Sequence, residues 1–350
     1  MKLATTLPFV ALASAATANF EKPDSPLTVN IEAVGNSGIK ASLSNTGTTK
    51  LKVLKTGSIL DKLAVEKAEV FAGSEKPTFE GIRLRLQTSN LPEEAFETID
   101  AGQTIETTWD IAQVHDLSAG GKVQIVAKGF LSYAEVNSTE ITGAVGFSSN
   151  LLSIEVNGDS AAKVRHEFHN LVKRTDIQKD CAGTQRAESI KALKSCNNLA
   201  ATASSSAASG PAERMEEYFK SSTNITRDTV ASVFAKVASE CDSTTSGVSD
   251  HYCTDKISAC SQGVIAYTVP SQSYIVNCPD FFTIPTLSRT CHAQDQATTT
   301  IHEVTHLLQI MGTTDQSACY GYPCVRSLTA GQNLYHADTY ALFANAVFAC

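Results

Sequence analysis

Residues 1–180 contain no cysteine; all ten, from Cys181 to Cys350, come after them. That absence divides the chain into two chemically different halves. None of the ten is spaced C-x-x-C, which argues against a zinc ribbon or a thioredoxin-like redox site. An even count crowded into one half fits a disulfide-stapled domain from an oxidising compartment. Basic residues are also short: 28 Lys+Arg stand against 36 Asp+Glu, a net charge of −8. That balance argues against a dedicated nucleic-acid binder, whose affinity rests on phosphate neutralisation. No stretch reaches the roughly 20 apolar residues that span a bilayer, so no membrane anchor is expected. What is plentiful is apolar side chain, 42% of 350 residues. That is enough to bury a core in each of roughly two domains.

The first residues read as a secretory leader. Lys2 supplies a positive charge, Leu3 to Ala15 form a short apolar run, and Ala16-Thr17-Ala18 has the small-x-small pattern of a signal-peptidase site. Cleavage is expected near Ala18, giving a secreted, extracellular protein. From Asn19 to about Val156 the pattern is strand and turn. Leu27-Thr28-Val29-Asn30-Ile31 and Lys122-Val123-Gln124-Ile125-Val126 alternate as half-buried strands do. Gly35-Asn36-Ser37-Gly38 and Asn45-Thr46-Gly47 punctuate them as turns. A β-rich sandwich is the expectation here.

Lys173-Arg174 falls where cysteine-free sequence gives way to cysteine-rich sequence, and a basic pair in a secreted chain is what a kexin-type processing protease cuts. The organisation read from these signals is a leader at 1–18, a propeptide at 19–174 and a mature domain at 175–350. In the mature part, Ala187–Leu199, Ala212–Lys220 and Thr229–Cys241 carry helical patterns, with the small-residue stretch Ala200–Gly210 expected as a loop. Gly263–Val269 and Tyr274–Val276 read as strands around a Pro270-Ser271 turn. Helices with a few strands make this an α+β domain.

The chemistry concentrates in His302-Glu303-Val304-Thr305-His306. Residues four apart lie above one another on a helix, so His302 and His306 can offer two imidazole nitrogens to one metal ion. Glu303 beside them can act as a general base without ligating. Ile301, Val304, Leu308 and Met311 supply an apolar stripe, and Asp295 near the start complements the helix dipole. A third ligand is needed. A metzincin pattern fails, because Gln309 and Gly312 stand where its Gly and His belong. A thermolysin-like site fails because Glu303 is the last glutamate. Asp315, Asp338 and His336 are the downstream candidates.

Gly312-Thr313-Thr314-Asp315 with Tyr320-Gly321, Ala337-Asp338-Thr339-Tyr340-Ala341-Leu342, and Cys291-His292-Ala293-Gln294-Asp295-Gln296-Ala297 accompany the motif. Together they resemble the deuterolysins, the aspzincin metalloendopeptidases of filamentous fungi, over the precursor layout and most of 175–350. The resemblance implies a zincin-like catalytic domain with an HExxH active-site helix, made as an inactive precursor. It implies one zinc ion per mature chain on His302, His306 and Asp338, with Asp315 and Tyr320 lining the site. It also implies the bridges Cys181–Cys253, Cys260–Cys278 and Cys291–Cys350, leaving Cys196–Cys241 and Cys319–Cys324 by remainder. Two departures stand out. The interval from Asp315 to Tyr320 is longer than the family pattern and holds Cys319, and Asp280-Phe281-Phe282 lacks a tyrosine expected upstream.

Such an enzyme is expected to be a monomer that hydrolyses peptide bonds in protein or peptide substrates. Residues 175–350 carry 11 Lys+Arg against 16 Asp+Glu, which favours encounter with basic polypeptides, the substrates for which the family is known. Asp315 could alternatively face substrate. The propeptide is expected to be a partner that blocks the site; without a thiolate, His115, His166, His169 or a carboxylate is left for that role. The competing reading is a secreted binding protein with a structural zinc. Glu303→Gln separates the two, since only an enzyme would lose activity while keeping its metal.

Overall fold

The computed structural model describes residues 25–172, 180–261 and 263–350. The expected leader at 1–18 and the Lys173-Arg174 pair lie outside the described residues. In chain order the first half runs β1 (Leu27–Val34), β2 (Gly38–Asn45), β3 (Leu51–Leu54), β4 (Glu69–Ala72), β5 (Arg83–Leu86), β6 (Phe96–Ile99), β7 (Thr104–Asp110), β8 (Gly121–Val126), β9 (Lys128–Ala134), β10 (Ile141–Ser148), β11 (Leu152–Val156) and α1 (Gly158–Val172). The strand alternation is visible in burial. Ile39, Ala41 and Leu43 of β2 point inward while the residues between them are half-exposed. Sheets β1-β2-β7, β10-β9-β3-β6 and β11-β8-β4 enclose one core that includes Leu27, Ile31, Leu43, Val70, Ile125, Leu131 and Phe147.

The second half is mainly helical: α2 (Gly183–Ser209), α3 (Ala212–Phe219), α4 (Asn224–Cys241), β12 (Asp250–Tyr252), β13 (Val264–Val269), β14 (Tyr274–Asn277), α5 (Gln296–His306), α6 (Gly321–Ser327), α7 (Ala330–Leu334) and α8 (Ala337–Ala349). Its core gathers Leu199, Phe219, Val230, Phe234, Ile301, Val304, Tyr340 and Phe343. Disulfides join Cys181–Cys253, Cys196–Cys241, Cys260–Cys278, Cys291–Cys350 and Cys319–Cys324. Cys291–Cys350 ties the chain end, just after α8, to the segment entering α5.

Two local expectations are corrected. Ala200–Gly210 is not a loop: α2 continues through it to Ser209. Alanine is the best helix former, and Ala200, Ala203 and Ala207 are buried at helical spacing. Their small side chains let α2 lie close to α4, where Ser204 Oγ donates to the Ala231 carbonyl (2.8 Å). The apolar stripe beyond α5 also differs. The helix stops at His306, so Leu307 is buried and Leu308 is 53% exposed.

The halves meet in a shared sheet of order β12-β14-β13-β5, in which three strands come from the second half and β5 from the first. β5 runs antiparallel to β13, pairing Leu84 with Tyr267 and Arg83 with Thr268. β13 and β14 are buried throughout, as interior strands should be. A second hydrophobic cluster crosses the boundary, with Leu54, Leu84 and Leu86 against Tyr252, Tyr267, Val276 and Tyr320.

Candidate functional site

The site is organised by α5. Asp295 is its N-cap, accepting from the Thr298 N–H (2.7 Å), while Thr298 Oγ1 receives the Asp295 N–H (3.3 Å). This capping box satisfies two otherwise orphaned donors and sets the helix phase. One turn apart, His302 and His306 are fully buried with their rings 4.7 Å between centroids. The chain then turns back so that Thr313 N–H donates to the Thr305 carbonyl (3.1 Å), delivering the Gly312–Asp315 segment beneath the helix end.

That turn brings in the third group. Asp315 Oδ1 lies 3.3 Å from His302 Nε2 and 3.4 Å from His306 Nε2. All three atoms are buried and lack a hydrogen-bond partner. Buried polar atoms are almost always satisfied, so three orphans facing one point are the arrangement a metal ion would complete. His302, His306 and Asp315 form a cluster of ligand atoms within 4.8 Å of one another. Burial pushes the Asp315 carboxyl up, but the His306 and His302 rings outweigh it and hold Asp315 well below the usual carboxylate range.

Asp338 stands elsewhere. Its Oδ1 faces the other nitrogen of His302, Nδ1, at 3.1 Å, and its Oδ2 accepts the Gly321 N–H at 2.7 Å. The expected ligand role does not fit this position, because both carboxylates touch His302 but only Asp315 touches its free nitrogen. Asp338 instead fixes the ring orientation, as an outer carboxylate does for a ligating histidine. For His306 the Thr313 carbonyl plays that part, 2.9 Å from Nδ1. His336 was the remaining candidate. It is buried, bonded through Nε2 to the Cys319 carbonyl (2.9 Å) and through Nδ1 to Thr339 Oγ1 (3.1 Å), so it braces the segment after Asp315.

Glu303 is fully buried, and Thr268 Oγ1 donates to its Oε2 at 2.5 Å, leaving Oε1 without a partner. Burial raises its carboxyl well above the usual range. Tyr320 is likewise buried with its hydroxyl partnerless, and burial together with the Asp315 and Glu303 charges raises it well above the ordinary phenol. Glu303 thus favours the protonated carboxyl, and the Tyr320 phenol, within reach of the Asp315 and Glu303 charges, keeps its own proton. Thr268 and Thr313 have no sequence signal of their own; only their contacts reveal them.

The first half also reaches the site. Arg85 of β5, 2% exposed, forms an ion pair with Asp338 and sits 3.4 Å from His302 Nδ1. The neighbouring Leu84 N–H donates to Asp315 Oδ2 (3.3 Å). Burial lowers the Arg85 guanidinium to about 10, which leaves it charged at neutral pH. The histidines proposed for this role are placed differently: His115 packs edge-on against Phe79 and His166 is exposed. The His169 side chain lies outside the described residues. Arg83 and Arg85 alternate with Leu84 and Leu86 along β5, yet both arginines are buried. No one-dimensional pattern announces a cation that will be buried against a carboxylate from the other half.

Comparison with known proteins identifies the family. The profile of the Deuterolysin metalloprotease (M35) family matches residues 1–349. A "Neutral protease 2 homolog" of Colletotrichum graminicola is 57% identical over 340 residues, covering 97% of this chain and 96% of the relative. One of Pyricularia oryzae is 51% identical over 326 residues, covering 93% and 92%. Among solved structures, a chain titled zinc peptidase from Grifola frondosa aligns with a TM-score of 0.40 and 23% identity, over 47% of this chain and 96% of that one. With a family match that runs essentially end to end, the chain belongs to the deuterolysin metalloprotease (M35) family.

Proposed function

We propose that His302, His306 and Asp315 hold a single zinc ion, and that the chain is a secreted precursor whose residues 175–350 become an endopeptidase favouring basic polypeptides. The observation that carries this reading is the convergence of three buried, partnerless ligand atoms beside Glu303. Zinc held there supplies a Lewis acid that acidifies water and polarises a carbonyl. Glu303 Oε1 accepts the proton of the attacking water and returns it to the leaving amine, while Thr268 fixes the other oxygen. Tyr320 donates its hydroxyl to the oxygen that becomes negative as the carbonyl turns tetrahedral.

The precursor role of residues 19–174 is supported by what β5 covers. Arg85 neutralises the carboxylate behind His302, and the Leu84 main chain occupies Asp315. Substrate cannot reach the same groups until β5 leaves, which cleavage at Lys173-Arg174 would permit. Secretion is supported by the leader-like start and the disulfides; among the described residues no helix is long and apolar enough to cross a membrane. A basic preference is supported by the acidic balance of 175–350 and by Asp280, whose Oδ2 accepts from the Gln87 side chain (3.0 Å) beside β5.

Chelator treatment of the processed enzyme should abolish hydrolysis and added zinc should restore it. Glu303→Gln is expected to reduce turnover by about 10²–10⁴-fold with metal content unchanged. Asp315→Ala should lose the metal, and Asp338→Ala should retain it more weakly. Full metal retention in Asp315→Ala, with loss in Asp338→Ala, would reverse the ligand assignment.

A further inference from the structure

We propose that Gln294 is a main-chain clamp for polypeptide bound along β13, gripping the substrate downstream of the scissile bond. The inference rests on the hydrolase reading above and assigns a substrate-binding residue to it. The evidence is how the segment after Arg85 is held. In an extended chain, successive main-chain groups point to opposite sides. The Gln87 N–H points to the β13 side and donates to the Gly263 carbonyl (2.8 Å). The groups on either side of it point away, and the Gln294 amide meets both. Its Nε2 donates to the Leu86 carbonyl (2.7 Å), and its Oε1 accepts the Thr88 N–H (3.0 Å).

One donor and one acceptor bridging the carbonyl of residue i and the N–H of residue i+2 is what a residue of a parallel neighbouring strand presents. The side-chain amide therefore stands in for a third strand where none exists. Such a grip reads backbone and not sequence, which suits an enzyme that must accept many substrates. Among the described residues one side-chain hydrogen bond to Gln294 accompanies it, from Thr88 Oγ1 to Oε1 (3.4 Å).

Gln294 has no comparable task in its own half. Both of its amide atoms bond to residues 86–88, and among the described residues neither bonds within 180–350. Its backbone is nevertheless firmly placed. Asp295, the α5 N-cap, follows it directly, and two residues earlier the His292 N–H donates to Asn345 Oδ1 (2.6 Å). An amide rigidly mounted beside the helix that carries the metal ligands, and partnered only by the segment that must leave, is poised to take an incoming chain. Leu84 is the residue at Asp315, so the grip falls two to four residues beyond it.

The test compares Gln294→Ala with the parent enzyme after processing of the whole chain. For peptides extending at least four residues past the position of Leu84, KM should rise about tenfold with kcat little changed, as expected for two neutral hydrogen bonds. Peptides that end one residue past that position, short of both gripped groups, should be cleaved equally by both. Gln294→Glu, which keeps the acceptor and loses the donor, should fall between. In a Glu303→Gln background, binding of a synthetic peptide spanning residues 79–90 should weaken about tenfold on the same substitution. The melting temperature should not move. Equal losses for long and short peptides, an unchanged KM, or a loss that tracks a fall in melting temperature would overturn the clamp. Absence of chelator-sensitive hydrolysis in the parent would instead remove the hydrolase reading, and the peptide-binding arm would still decide the clamp.

Discussion

Residues 25–172 and 180–350 are held together by different physics. The first half is β-sheet closed over an aliphatic core, and no covalent cross-link supports it. The second is a helical core bound by five disulfides, one of which ties the last residue to the approach of α5. The contrast suits the precursor reading proposed above. A segment that must detach is best stabilised by contacts that can be undone, whereas a domain that persists outside the cell gains from bonds that survive transient unfolding. Where they join, a reversible ladder between β5 and β13 meets a buried ion pair between Arg85 and Asp338.

Reduction should break this comparison most severely. Each bridge contributes about 2–4 kcal/mol, so thiol reductant under mildly denaturing conditions should unfold 180–350 while leaving the amides of 25–172 protected in hydrogen exchange. Next comes Arg85→Ala in a chain kept whole by Lys173→Ala and Arg174→Ala. Removing one partner of a buried ion pair costs about 3–5 kcal/mol, and β5 should loosen enough for the uncleaved chain to gain peptidase activity. An uncleaved Arg85→Ala chain as silent as its parent would show that β5 is not what blocks the site.

A smaller effect should come from Lys67, buried in the first half with its ammonium donating to the Leu63 carbonyl (2.5 Å). Burial lowers its pKa from 10.5 to about 8. The folded half therefore gives up this proton more readily than the unfolded chain, so stability should rise as pH climbs from about 8 toward 10.5. Lys67→Met should flatten that dependence and, at neutral pH, raise stability by about 3 kcal/mol. Denaturant melts of the first half across this pH range provide the check. Asp280→Asn should have the mildest consequence. A half-buried surface carboxylate such as Asp280 contributes about 0–1 kcal/mol, so the preference for a basic residue at the matching position should fall no more than about fivefold, read from kcat/KM on paired peptides.

Much of the fold was legible because it depends on local periodicity. The alternation of β1, β2 and β8, the helical spacing of α4 and the capping residue of α5 need only near neighbours in sequence. Ala200–Gly210 misled because small residues read as a linker when nothing shows that a partner helix will bury them; α4, tied on by Cys196–Cys241, makes them an interface. His302, Glu303 and His306 were legible for the same local reason as the helices: one turn of α5 brings them together.

The remaining candidate ligand was not a local question. Asp315 and Asp338 both converge on His302, one at Nε2 and the other at Nδ1. Sequence lists both carboxylates, but which ring nitrogen each faces depends on the turn after Leu307 and on how α8 packs beneath α5. Arg85 and Gln294 are more distant cases still, paired with groups about two hundred positions away. Cysteine placement marked the two halves, helical pitch brought His302, Glu303 and His306 together, and the family followed from the resemblance of the accompanying motifs, because covalent order and helical pitch carry that information. The direction of a carboxylate toward a ring nitrogen, and the strand that lies across it, belonged to the tertiary structure, because only packing between distant elements fixes where a side chain points.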